Sequence, residues 1–306
     1  MKKKYFIITI DTESDNQWES SHKQSTENAR FIPRFQELCE KYGFFPTYLV
    51  DYSMGQDDFL IKYLKNRSCA GKCEVGMHLH AWDTPPYHEY DSCRSARPYL
   101  VEYPCEVMRS KIAQIHELLT TNFECEIVSH RAGRWVTNSQ YFDILDEFGY
   151  QVDCSVTPGV SWTKSAGAVG GGCDYSQYKD EISWVGSHKT ILEVPVTIKK
   201  LHSIISPKRG IDYIKEPIKF LVGRNCWLRP ALSSNDIMYK ILHDRKQNYT
   251  EFMMHSSEMM PGGSPYFKNQ DDIEALYSNL EQLFSLIADE YTGITLKEFY
   301  RAYCGK

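Results

Sequence analysis

Short runs dense in β-branched and aromatic residues alternate along the chain with longer runs whose apolar residues recur at helical spacing, and this alternation constrains the fold most. The strand-like runs are 5–10, 47–50, 74–80, 126–130, 152–156, 192–198, 251–254 and 294–296. Helical patterns fill 28–42, 56–66, 106–120, 139–148, 234–247, 271–291 and 297–303. In the first of these, Phe31, Phe35, Leu38 and Tyr42 share a face and Gly43 is the stop; Gly149 stops the fourth, and Ser234 is placed to cap the fifth. Strands separated by helices pair in parallel, with the helices outside. Eight strand candidates favour a distorted (β/α) barrel of seven to eight parallel strands in an α/β protein. An open doubly wound sheet is the competitor, but no dinucleotide glycine fingerprint follows the first strand. The 306 residues then form one domain, 1–306, with loop insertions near 82–105, 157–190 and 200–230. Gly170-Gly-Gly172 lacks the Gly-Lys-Ser/Thr ending of a phosphate loop and reads as flexible connection.

Several function classes fall away. The net charge of −5 is spread along the chain without a basic run, which argues against a nucleic-acid or acidic-membrane partner. No stretch approaches membrane-spanning length, so no integral membrane segment is expected. Met1–Lys4 mimics the start of a signal peptide, but the apolar run 5–10 is too short to continue one. Ten scattered cysteines read as free thiols in a reducing cytoplasm.

In a parallel barrel the carboxyl ends of the strands build the active site. Those ends carry Asp11 and Glu13, His78 and His80, Arg131, Asp153 and His255. Each alone has an ordinary structural explanation: a turn cap, a surface ion pair, a satisfied core histidine. Together at the same end of successive strands they point to chemistry. His78 and His80 stand two apart, hence on one face of their strand. A carboxylate and two imidazoles make a three-ligand metal site that keeps positions open for water. Asp11 and Glu13 supply one ligand and one base, His255 can protonate a leaving amine, and Arg131 can orient Asp11. Mixed N/O ligation suits one divalent metal, zinc first, with cobalt, nickel or iron as alternatives.

The same residues, in this order, resemble the polysaccharide deacetylase superfamily (NodB-homology, carbohydrate esterase family 4). Thr9-Ile-Asp-Thr-Glu13 is similar to its first motif, and Glu74-Val-Gly-Met-His-Leu-His80 to its histidine motif. His130-Arg-Ala-Gly-Arg-Trp135, Val152-Asp-Cys-Ser-Val-Thr-Pro158 and Met254-His-Ser256 are similar to the remaining three. His-Leu-His-Ala-Trp, Arg-Ala-Gly-Arg-Trp and the run 255–266 resemble the WalW-like branch, linked to cell-surface polysaccharide synthesis. The resemblance implies a NodB-type barrel and metal-dependent removal of an acyl group from an amino sugar. It makes Asp11 the base, Glu13 and His78 metal ligands, His255 the acid, Arg131 the tether of the base and Asp153 a support of His255. Three departures stand out. Trp82 occupies the place of the usual second histidine, so either His80 takes its place or the site has only one histidine ligand. The acids are Asp-x-Glu instead of adjacent, which leaves open an exchange of the two roles or metal binding by both. Gly133, Arg134 and Trp135 replace a Pro-Tyr in the third motif. Trp82, Arg134 and Trp135 are candidate substrate contacts, and a main-chain amide near Ala132 is a candidate oxyanion donor.

The expectation is a cytoplasmic hydrolase that cleaves an N-acyl group from an amino sugar or glycan intermediate of O-antigen/LPS-type biosynthesis. The alternative is a carbohydrate-binding or scaffold protein of the same pathway that has lost catalysis. An amidohydrolase with His-x-His on its first strand is disfavoured, because here that pair follows the third strand and the first carries the acids.

Overall fold

The computed structural model describes residues 4–15, 17, 24–92, 97–201 and 223–305. In chain order the elements are β1 (Lys4–Thr12), α1 (Ile32–Lys41), β2 (Thr47–Val50), α2 (Asp58–Cys69), β3 (Glu74–Leu79), α3 (Cys105–Phe123), β4 (Ser129–Ala132), α4 (Ser139–Glu147) and β5 (Val152–Asp153). They continue with β6 (Ser183–Val185), β7 (Ile191–Glu193), β8 (Ile198–Leu201), β9 (Arg224–Trp227), α5 (Asn235–His243), β10 (Tyr249–His255), α6 (Gln270–Ile287), β11 (Tyr291–Gly293) and α7 (Leu296–Cys304).

The main sheet runs β10-β1-β2-β3-β4-β5-β7-β6, with β11 also on β1, and every pairing but the last, β6 with β7, is parallel. It is the expected distorted β/α barrel. Its seam is closed by single hydrogen bonds where a strand ladder would otherwise run. Past β7, the Thr197 amide donates to the Glu251 carbonyl at 3.3 Å and the Thr197 hydroxyl accepts from the Glu251 amide at 2.9 Å. The Met253 amide donates to the Leu228 carbonyl at 3.3 Å, and Leu228 in turn donates to Thr197 at 3.0 Å.

Alternation of side chains sorts each strand into a lumen face and a helix face. Phe6, Ile8 and Ile10 of β1 pack under the helices, whereas Ile7 joins Leu49, Val152, Leu192 and Tyr249 inside the barrel. α7 plugs the lower end with Leu296, Phe299 and Tyr300. Thr295 caps it through a reciprocal box with Glu298, its hydroxyl accepting at 3.2 Å and its amide donating at 3.0 Å.

Gly43 and Gly149 end their helices with φ of +71° and +80°, the left-handed turn glycine adopts most easily. Several boundaries move. The first helix begins at Ile32 after a 3-10 turn, because Pro33 is tolerated only in a first turn. The fourth strand begins at Ser129, so Arg131 lies within it and is not a loop residue beyond it. The last strand is Tyr291–Gly293, earlier than 294–296. Ser234 takes the N-cap position of α5 but makes no side-chain capping bond. Part of the 200–230 insertion lies outside the described residues; its flanks form the antiparallel pair β8-β9.

The insertion 157–190 is not the flexible connection its glycines suggested. It contains β6, and the Glu102 carboxylate clamps its tip by accepting from the amides of Ala168, Val169 and Gly170 at 2.8, 2.9 and 2.7 Å. The glycines serve close approach: a Cβ on Gly171 would stand 2.4 Å from the Thr163 carbonyl oxygen, and one on Gly167 2.5 Å from the Glu102 carboxylate. Glu102→Ala is expected to raise amide exchange at 168–170 by tenfold or more, read by hydrogen-exchange mass spectrometry, while the barrel strands keep their protection.

Candidate metal-hydrolase site

The strand register assembles the site. Asp11 aligns with His255 across β1 and β10, and His78 with Arg131 across β3 and β4. All four side chains enter the lumen, where a slip of one residue would turn a whole set outward. Above the apolar floor lies a charged layer around Arg131, which is fully buried. Its guanidinium donates to Asp11 Oδ1 at 2.5 Å, to the Thr9 hydroxyl at 2.8 Å, to the Cys154 carbonyl at 3.0 Å and to Glu251. Burial alone would raise the Asp11 carboxyl, but Arg131, His78 and His255 outweigh it and hold it at about 2. Glu251 shares the same guanidinium yet burial carries it up to about 7.

Above Asp11 stands the ligand set. Glu13 Oε2 lies 3.5 Å from His78 Nε2 and 3.2 Å from His80 Nε2, and the three donor atoms fall within 4.8 Å of one another. All three residues are buried. His78 Nδ1 faces the Arg131 carbonyl at 3.1 Å, which places a hydrogen on Nδ1 and turns the Nε2 lone pair toward Glu13. A lone pair and a carboxylate oxygen at that distance need a proton or a cation between them. The proton solution is visible in His78, which burial pushes down but Asp11 and Glu13 push up more strongly. His80 goes the other way: burial, then His78, lower it far below the usual imidazole range. One cation would satisfy both rings and the carboxylate at once, so this donor set fits a divalent metal with mixed N/O ligation.

His255 Nε2 faces the same space, 3.7 Å from Asp11 Oδ2 and 3.8 Å from Glu13 Oε1. Its Nδ1 meets Arg229 at 2.9 Å and Glu258 at 3.3 Å. Asp11, Glu13, His78, His80 and His255 line a cavity of about 210 Å³ together with Trp82, Arg134 and Trp135. Trp82 stacks on His80, with ring centroids 4.4 Å apart and planes 18° from parallel. Gly133 passes so close that a Cβ would stand 2.3 Å from His80 Cδ2 and 2.5 Å from the Leu79 carbonyl oxygen.

Two expectations need correction. Asp153 does not support His255. Strand alternation sends it to the helix side, where it holds His130 Nδ1 at 2.6 Å and the Ser155 hydroxyl at 2.9 Å; the side chains at His255 Nδ1 are Glu258 and Arg229. The Ala132 amide is no free oxyanion donor, because it is spent on the Ser155 hydroxyl at 2.9 Å. Sequence reasoning also passed over Asp51, Asp83, Glu251 and Glu258. Asp51 ends the run 47–50 just as Asp11 ends 5–10, so the same signal would have found it. It accepts from the amides of Met54 and Ser14 at 2.7 and 3.0 Å, and with His80 and Asp83 it forms a second group of donors within 4.8 Å. Glu251 was detectable as a lone charge inside an apolar strand.

No protein-family model matches the chain, and no curated protein matches it. Solved structures do. The chain is similar to a 4-alpha-glucanotransferase from Thermococcus litoralis, with a TM-score of 0.59 and 13% identity, over 99% of this chain and 40% of that one. It is also similar to a "putative polysaccharide deacetylase" from Mycobacterium smegmatis, with a TM-score of 0.54 and 12% identity, over 99% of this chain and 91% of that one. The chain therefore has the distorted β/α barrel of the polysaccharide deacetylase fold. A glucan-transferring enzyme shares that barrel, so the fold alone does not choose the reaction and the site must.

Two outcomes follow from this geometry. Gly133→Ala is expected to displace His80 and lower metal affinity tenfold or more, measured by competition with a chromophoric chelator. Glu251 has a folded-state pKa above its unfolded value, so unfolding releases its proton and its contribution to stability is lost as pH rises toward 7. Glu251→Gln lacks that loss. Relative to wild type it should be more favourable at pH 8 than at pH 5, by on the order of 2 kcal/mol in urea melts.

Proposed function

We propose that the protein is a metal-dependent hydrolase that removes an N-acyl group, acetyl or similar, from an amino sugar. The observation that carries this reading is the convergence of Glu13 with the Nε2 atoms of His78 and His80, beside Asp11 and His255, at the mouth of a deacetylase-type barrel. Glu13, His78 and His80 would hold the metal, zinc first by donor chemistry. Bound there, a divalent ion makes water a nucleophile near neutral pH and polarises the acyl carbonyl.

The chain's own residues divide the proton work. Asp11 has one oxygen pinned by Arg131 and keeps Oδ2 toward the cavity, which suits it to take the proton of the attacking water. With a pKa of about 2 it is a weak base, matched only to a water that is already acidified. His255 Nε2, on the neighbouring strand β10 and 3.7 Å from Asp11 Oδ2, suits delivery of a proton to the leaving amine. Trp82, Arg134 and Trp135 would hold the sugar. The amide bond, the amino sugar and a place in cell-surface polysaccharide synthesis, in the cytoplasm, belong to this reading. It accords with the described helices, none of which is long and apolar enough to cross a membrane.

Metal analysis together with acetate release from N-acetyl sugars tests it. Chelation should abolish turnover and added metal restore it. Glu13→Ala, His78→Ala and His80→Ala should each lose bound metal. Asp11→Asn should keep the metal and lose about 10²–10⁴-fold in kcat. Metal-loaded protein inert on a broad N-acyl sugar panel would refute the proposal.

A further inference from the structure

Two guanidiniums on the cavity wall make no ion pair with a carboxylate of the described residues. The buried arginines among the described residues all engage carboxylates: Arg131 meets Asp11 and Glu251, Arg229 meets Glu258, and Arg245 meets Asp180. Arg97 and Arg134 line the cavity beside Glu13 and His80, and neither forms an ion pair with a carboxylate within 4 Å among the described residues. Arg134 donates to two main-chain carbonyls, those of Arg97 and of Ala166, the latter at 2.7 Å. Arg97 donates to the Gln17 side-chain carbonyl. These acceptors are neutral and leave N–H groups of both forks unspent.

Each guanidinium also lies over an aromatic ring. Arg97 lies 4.9 Å from the Trp82 centroid and Arg134 4.1 Å from that of Tyr99. The backbone that carries the second is itself in a costly conformation: Arg134 and Trp135 both have left-handed φ, +58° and +66°, in non-glycine residues. Burial disfavours both positive charges; Glu13 and Asp83 offset part of this for Arg97, and Tyr99 and Glu102 for Arg134, while Arg134 further disfavours the charge of Arg97. Two half-buried, mutually repelling guanidiniums packed over aromatic rings form a receptor for an anion, because bidentate recognition of an oxyanion uses such forks. Asp11 does not fill this role, since its charge is already matched by Arg131.

We propose that the sugar this site accepts carries an oxyanion, a phosphate or a carboxylate, which Arg97 and Arg134 grip beside the scissile amide. This rests on the deacetylase reading and narrows its substrate class from amino sugars to anionic ones. The test uses calorimetric titration of the metal-loaded full chain with three deacetylated sugars: glucosamine, glucosamine 1-phosphate and muramic acid. At low salt at least one anionic sugar should bind ten times tighter than glucosamine, and the ratio should shrink as salt screens it. Preference for the phosphate or for the carboxylate identifies which oxyanion is meant. In Arg97→Gln the ratio should fall below about threefold, with Arg97→Lys, which keeps the charge and loses the fork, in between. Circular dichroism checks that each variant is folded, and if Arg97→Gln is not, Arg97→Lys carries the comparison. Equal affinity of wild type for all three sugars overturns the inference, as does a ratio that folded variants leave unchanged. Hydrolysis of N-acetylglucosamine without any anionic preference also overturns it while the deacetylase reading stands. An arginine-dependent preference without hydrolysis of any N-acetyl sugar would do the reverse.

Discussion

The guanidinium of Arg131 is the charge around which the barrel is arranged. It is fully buried and touches β1 through Asp11 and Thr9, β10 through Glu251, and the chain just past β5 through the Cys154 carbonyl. A buried charge without partners costs several kcal/mol, so these contacts are obligatory wherever Arg131 sits at this depth. They also fix the site. The tether that satisfies Arg131 holds Asp11 ionised, and the Arg131 carbonyl sets the tautomer of His78. One side chain thus links the stability of the lumen to the orientation of a carboxylate and an imidazole.

Above that layer the chemistry is separated by environment. Asp11 and Glu251 meet the same guanidinium, yet one is held near 2 and the other carried to about 7. The difference lies in their further neighbours. Asp11 faces two imidazoles, whereas Glu251 has a hydroxyl from Thr9 at 2.9 Å and an otherwise dry surrounding. The two Nε2 atoms facing Glu13 make a donor set that no single proton satisfies.

The strand and helix alternation, and the habit of polar residues to end strands, were legible in the sequence because both are periodic and local. They led to the barrel and to Asp11, Glu13, His78, His80, Arg131 and His255, which the structure gathers around one space. What stayed hidden depended on parity and distance. Asp153 was read as facing His255, but the strand turns that carboxylate to the helix side, toward His130. The partners of His255 sit on segments far from or just beyond it, and Arg229 carries no periodic signal. The glycines at 170–172 read as slack because the carboxylate that clamps their loop, Glu102, lies some 70 residues earlier.

The barrel wall is thinnest where Thr197 and Leu228 meet β10. The long excursions between β5 and β7 and between β8 and β9 flank that join. Chain length there can grow or shrink without altering the pairing of β1 through β4, at whose ends Glu13, His78 and His80 converge. The architecture thereby separates the joint that tolerates changes in chain length from the strand ends whose register brings Asp11 beside His255 and His78 beside Arg131.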